Sequence, residues 1–241
     1  MTVAAAVDLS RPDPGLGDPD LDRVVWASLT SGHHARLTQR RGDAARYHPD
    51  VAPFVGLADP ADPRGWADVA ALVGPGATVA VSGAGVVPPA DWAVTLIGRG
   101  VQLVDVTLDK QPDPEAVRLG PDDVPQILDL VARTEPGPFR PRTIELGTYL
   151  GTKHDGRLVA LAGERLYPQG WTEISAVCTD PAYRGRGLAS RLVSAVGAGI
   201  ADRGDRVLLH ALATNPAVSL YQQLGFRLRA VTEFRSVTVP G

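Results

Sequence analysis

Of the 241 residues only one is cysteine, Cys178, and only two are lysine, Lys110 and Lys153. A lone thiol cannot close an internal disulfide, which excludes a disulfide-stapled secreted scaffold and suits a reducing, cytoplasmic compartment. The lysine scarcity, beside plentiful Arg, Ala, Val and Gly, reads as codon composition and not as function. No stretch approaches the roughly 20 consecutive apolar residues that a membrane span requires. Thr2 to Val7 is too short an apolar run, and lacks the basic flank, for a secretory signal. Neither charge sign is in excess: 24 Lys and Arg against 27 Asp and Glu leave a net −3. That balance supports neither a nucleic-acid partner nor a membrane partner.

What is present describes a soluble globular protein, with 44% hydrophobic and 21% charged residues in a length that fits two modest domains. Residues 1–20 are dense in Pro, Gly and Asp and read as a flexible lead-in. The periodicity predicts a helix from Leu21 to about Gln39, a strand near Phe54 to Leu57, a helix near Trp66 to Val73 and a strand at Thr78 to Val81. Trp92 to Val106 holds further strand-like pieces. Gly83-Ala84-Gly85 looks like part of a dinucleotide loop, but the Val-Val-Pro-Pro that follows cannot start a helix, so it reads as a turn. His33 and His34 are adjacent and would point apart on a helix, so they read as surface histidines. Arg40-Arg41 reads as a solvated charge pair.

Asp109-Lys110-Gln111-Pro112-Asp113-Pro114 has linker composition and marks a boundary between an N-terminal α/β domain (21–110) and a second domain (115–237). After it come a strand at Glu115 to Leu119, a helix opened by Pro121-Asp122-Asp123, and a helical stretch from Thr143 to Tyr149. A strand follows from Leu158 to Tyr167. Beyond Gly204, Val207 to Ala213 is a strand. Asn215-Pro216 then opens a short helix that stops at Gly225. Phe226 to Leu228 and Val231 to Val239 finish as strands.

The most informative stretch is Trp171 to Ser190. Glu173 to Thr179 alternates as a strand, and Asp180-Pro181 ends it. Arg184-Gly185-Arg186-Gly187 is a basic turn, after which Leu188, Leu192, Val196 and Ile200 form a helical stripe. A strand that passes through glycines into a helix N-terminus makes an anion site from unpaired N–H groups and the positive dipole end. The spacing is neither G-x-x-x-x-G-K-[ST] nor G-x-G-x-x-G. Arg184, Gly187 and Ala189 instead resemble the R-x-x-G-x-A pyrophosphate loop of the Gcn5-related N-acetyltransferases (GNAT). Asn215 to Phe226, N-P-A-x-x-L-Y-x-x-L-G-F, is similar to the late motif of that family, in its FR47-like and glycine-acyltransferase-like branch.

The resemblance spans residues 115 to 237 and implies a mixed, mostly antiparallel α/β sheet flanked by helices. The N-terminal half has mixed signals of suitable length for a degenerate copy of the same fold. The resemblance implies acetyl-CoA as co-substrate, without a metal, and a primary amine of a small molecule or peptide as acceptor, acetylated directly in a ternary complex. It also implies that Arg184, Gly185, Arg186, Gly187, Leu188, Ala189 and Ser190 hold pyrophosphate, with Val177, Cys178 and Thr179 along the pantetheine arm and Asn215 and Tyr221 beside them. Tyr221 matches the family's acid for the departing thiolate. Glu173 stands where histone-type members carry a catalytic glutamate, with water and backbone carbonyls as the rival base and His210 as a further candidate. By alternation Glu173 shares a face with Ser175, Val177 and Thr179, while Cys178 faces away into the core. Two other readings stay open: a non-catalytic acyl-CoA-binding sensor, and a longer acyl donor. The N-terminal half is expected to cover the acceptor cleft or to form a homodimer surface.

Overall fold

Asp18 caps the first helix by accepting the Asp20 N–H at 3.0 Å, with Pro19 in the first helical position. The computed structural model describes residue 12 and residues 17–83 and 85–241. Most of the expected lead-in, Thr2 to Val7, and Ala84 of the Gly83-Ala84-Gly85 turn lie outside the described residues. The helix expected over Leu21 to Gln39 is two short ones, α1 (Pro19–Asp22) and α2 (Val24–Thr30). Gly32, at φ 86°, turns the chain after α2, and Gln39 lies in a strand.

Strands β1 (Thr38–Arg41), β2 (Ala44–Tyr47) and β3 (Val55–Leu57) form a small antiparallel sheet. The Arg40-Arg41 pair is therefore part of a hairpin edge strand, where charge discourages pairing with another chain. Helix α3 (Pro63–Val73) follows, capped by Asp62, and then β4 (Thr78–Ser82) and β5 (Ala93–Asp105). The second half contributes β6 (Val117–Arg118), α4 (Val124–Thr134), β7 (Tyr149–His154), β8 (Arg157–Glu164) and β9 (Trp171–Thr179). It closes with α5 (Leu188–Asp202), β10 (Arg206–Leu212), α6 (Ala217–Gln223) and β11 (Phe226–Thr238). The helix expected from Thr143 to Tyr149 is only a 3-10 turn over Thr143–Leu146, and Tyr149 already begins β7.

The main sheet has eight strands in the order β4-β11-β5-β10-β9-β8-β7-β6. Every neighbouring pair is antiparallel except β9 with β10, so the sheet is mixed and mostly antiparallel as expected. One feature departs from the two-domain division. β5 lies between β10 and β11, pairing Gly100 to Val104 with β10 and its whole length with β11. The segment Asp109 to Pro114 thus connects strands of one sheet and does not separate two units. It is also fastened down: Arg191 on α5 bonds Asp113 and Glu115.

The sheet carries α5 on one face, where Leu192, Val196 and Ile200 pack on Val101, Leu103, Ile174 and Leu209. On the other face α4 covers Tyr149, Leu161 and Cys178, and α1 and α2 cover Leu208 and Trp171. Apolar burial on both faces of a sheet is the main source of its stability.

A directed hydrogen-bond chain ties the N-terminal segment to this core. Tyr167 N–H donates to Ser28 Oγ at 2.8 Å, Ser28 contacts the Tyr47 hydroxyl at 2.9 Å, and Tyr47 meets His34 Nδ1 at 2.9 Å. His34 Nε2 donates to the Leu146 carbonyl at 2.8 Å. His34 is therefore buried and not a surface histidine, and its pKa is lowered to about 4, mainly by burial against the bond to Leu146. His33 remains outside, stacked on the Tyr167 ring at 3.9 Å.

Candidate active site

The site begins where two parallel neighbours part. β9 and β10 pair only from Trp171–Arg206 to Ile174–Leu209. Beyond that, Ser175–Thr179 and His210–Leu212 diverge and open a wedge. A bulge drives the divergence. Three steps along β9, from Ser175 to Cys178, face two steps along β8, from Gly163 to Leu161. The extra residue is Ala176, held at φ 56°, a left-handed conformation that costs an L-residue about 1 kcal/mol.

The bulge overturns the alternation expected along β9. Val177 now packs with Ile174 under α5, whereas Ala176 and Cys178 pack under α4. Val177 therefore leaves the face of Glu173, and Cys178 joins it. Cys178 is nonetheless buried, and burial pushes its thiol up to about 11, so no thiolate is available at neutral pH.

A cavity of about 260 Å³ fills the wedge. Its walls are Ser175, Ala176 and Val177 from β9, His210 to Leu212 from β10, and Asn215 and Tyr221. Pro136 to Pro138, in the loop after α4, close one side. The N-terminal half contributes Val24, Val25, Phe54, Ala80 to Ser82 and Ile97. Tyr149 is buried away from the cavity under α4.

Tyr221 stands on α6, which starts where Asn215 Oδ1 accepts the Ala217 N–H at 2.9 Å. Its ring packs against Phe226 and its phenol is pushed up to about 12 by burial and then by Cys178. A phenol so raised stays protonated at neutral pH. It can give a proton to a strong base formed beside it.

Glu173 is not at the cavity. It is fully buried; Oε2 accepts from Arg165 Nε at 2.8 Å, and Oε1 accepts from Arg165 Nη2 and His210 Nδ1, both at 2.7 Å. Burial alone would raise its pKa, but the charge and hydrogen bonds of Arg165 and the bond from His210 bring it down to about 2. A carboxylate with both oxygens engaged and so low a pKa is a poor proton acceptor. His210 is held between Glu173 and Gln102, whose Nε2 lies 3.0 Å from His210 Nε2. Gln102 in turn accepts from Arg229 at 2.8 Å and donates to the Leu21 carbonyl at 2.9 Å. Sequence reading did not single out Arg165 or Gln102, because their partners come from strands far away in the chain.

The glycine turn has the form expected of an anion site. Asp180 Oδ1 accepts from Ala182 N at 3.0 Å and shapes the exit from β9. Gly185 and Gly187 sit at φ 76° and 75°, with no atom within 4 Å of where a Cβ would stand. Their need is conformational, and the space in front of them is open. Gly187 caps α5 without a side-chain acceptor, so the first-turn N–H groups at Leu188, Ala189 and Ser190 face outward with the positive dipole end. Arg184 Nε donates to the Thr179 carbonyl at 3.3 Å, and Arg186 lies over the Tyr183 ring at 4.8 Å with Nη2 donating to the Ala182 carbonyl at 3.4 Å. Neither arginine forms an ion pair among the described residues. A diphosphate fits this donor set.

A mixed sheet with one parallel pair splayed by a bulge, a glycine turn at the next helix and a tyrosine across the wedge define a transferase of the GNAT class. The comparisons agree. The family model for FR47-like protein matches residues 149–235. A structure from Novosphingobium aromaticivorans assigned to the GNAT acetyltransferases is 37% identical, covering 93% of this chain and all of its own, with a TM-score of 0.83. A GCN5-related N-acetyltransferase from Kribbella flavida shares the fold at 18% identity, over 91% of this chain and 96% of its own, with a TM-score of 0.57. Among curated proteins no sequence matches. The chain belongs to the GNAT family of acetyltransferases.

Proposed function

We propose that this chain transfers the acetyl group of acetyl-CoA directly to a primary amine of a small molecule or peptide. The observation that carries the reading is the wedge, where the unpaired end of β9, Asn215 and Tyr221 line one cavity, at the end of the strand that runs into the glycine turn. In this reading the α5 N-terminus with Arg184 and Arg186 anchors the pyrophosphate. The backbone of Val177, Cys178 and Thr179, freed from β10, holds the pantetheine arm and polarises the thioester carbonyl.

The acceptor nitrogen attacks the carbonyl carbon, the C–S bond breaks, and Tyr221 gives its proton to the departing thiolate. Glu173 is too firmly committed to take the ammonium proton, so water in the wedge takes it, with backbone carbonyls as acceptors. Cys178, buried and protonated, carries no acyl group, which favours direct transfer over a covalent relay. The test is a screen of amines, amino acids and peptides with acetyl-CoA, reading thiol release and N-acetyl product. Product from at least one amine class supports the reading. Tight acetyl-CoA binding with no acceptor in a wide panel would instead indicate a sensor.

A further inference from the structure

We infer that Arg165 is a specificity-determining residue, and that the acceptor carries a carboxylate on an apolar body. The inference rests on the transferase reading above. Arg165 follows β8 and is bound to Glu173 by backbone as well as side chain: its N–H donates to the Glu173 carbonyl at 3.0 Å. Nε and Nη2 are both spent on the Glu173 carboxylate. Nη1 has no hydrogen-bond partner among the described residues, and the side chain, 15% exposed, borders the wedge cavity.

Three contacts fix the direction of that free donor. The carboxylate grips two of the three guanidinium nitrogens in one plane, leaving a single degree of presentation. His210 locks the carboxylate from the other side. The guanidinium lies over the Phe54 ring at 4.9 Å, so the plane is clamped from the N-terminal half as well. Burial disfavours its charge, but the Glu173 carboxylate outweighs burial and keeps Arg165 cationic. A buried arginine with its Nη1 amino group unpaired, on the wall of a cavity, is arranged to receive a hydrogen-bond acceptor, and an anionic oxygen forms the stronger bond.

The rest of the wall selects the body of the ligand. Val24, Val25, Phe54, Ile97, Leu212 and Phe234 are apolar, and the polar members Ser82, Glu135, Ser175 and Asn215 are interspersed among them. The other arginine on the wall, Arg235, is tied to Glu233 and to the Val86 carbonyl. Arg165 is thus the donor that an acceptor's carboxylate would find, and Glu173 is its positioning residue. This also accounts for a glutamate in this strand that does not reach the reacting atoms.

The test uses binding of unreactive, product-like acids, so it does not depend on turnover. N-acetyl-phenylalanine, N-acetyl-leucine and N-acetyl-glycine are titrated calorimetrically against their amides, in the presence of CoA. We expect at least one acid to bind about tenfold or more tightly than its amide. Because removing one partner of a buried pair risks unfolding, the variant is the double substitution Arg165→Met with Glu173→Gln, with folding checked by its thermal midpoint. The acid preference should vanish in it while acetyl-CoA affinity stays as in the wild type. In the double variant KM for carboxylate-bearing amines should rise several-fold more than KM for plain alkylamines, a split that general loosening would not give. Equal binding of acid and amide, no binding by any acid, or a preference that survives the double substitution would overturn the inference. Loss of acetyl-CoA binding by the wild type would instead count against the transferase reading itself.

Discussion

Ile174 and Leu209 are the last partners of the parallel ladder between β9 and β10. One residue beyond Ser175 the backbone of Ala176 turns left-handed, and the two strands never meet again. The wedge cavity is the space between them, so its shape depends on one unfavourable backbone conformation that the surrounding packing enforces.

Tyr221→Phe keeps the ring that packs on Phe226 and removes only the hydroxyl. Turnover is expected to fall by roughly 10² to 10⁴, the usual worth of a general acid, with the acetyl-CoA dissociation constant almost unaltered. Steady-state kinetics beside a direct binding titration measures both. Full turnover in this variant would remove Tyr221 from the mechanism.

Gly187→Asp places a side chain at φ 75° and a negative charge where the α5 N-terminus would receive phosphate in the proposed reading. Wild-type protein should gain thermal midpoint with added acetyl-CoA by mass action. The variant should show no such gain. An equal shift in both proteins would mean that the pyrophosphate lies elsewhere.

Removing residues 1–110 takes away β5, on which both β10 and β11 pair, along with Val101 and Leu103 from the core under α5. The fragment 111–241 should therefore fail to fold, giving no cooperative thermal transition and poor amide-exchange protection. A stable fragment that binds acetyl-CoA would show that the sheet closes without β5.

His34 predicts a pH dependence with a definite sign. Its folded pKa, about 4, lies below the ordinary value of about 6.5, so the unfolded chain binds the proton first. The stabilisation is full above pH 6.5 and is lost as pH falls toward 4. The shift is worth about 3 kcal/mol. His34→Gln keeps a donor toward the Leu146 carbonyl and cannot titrate. Urea midpoints between about pH 7 and about pH 4 should fall more steeply for the wild type than for the variant. Parallel slopes would place His34 outside the linkage.

The sequence by itself determined the local chemistry: the strand into Pro181, the left-handed glycines at 185 and 187, the α5 stripe and the Asn215-Pro216 helix start are all set by neighbours a few residues apart. The family and the tyrosine on α6 were legible for the same reason. What only the tertiary structure decided depends on partners brought from afar. No local pattern announces that β5 will lie between β10 and β11, since a run of β-formers fits any sheet that has room. Nor does period-two alternation foresee the bulge at Ala176, which exchanges the faces of Val177 and Cys178. Glu173 reads as a base in the sequence, but Arg165 and His210, drawn in by burial, take both of its oxygens. A buried charge must be paired, and which partners pair it is settled only by packing.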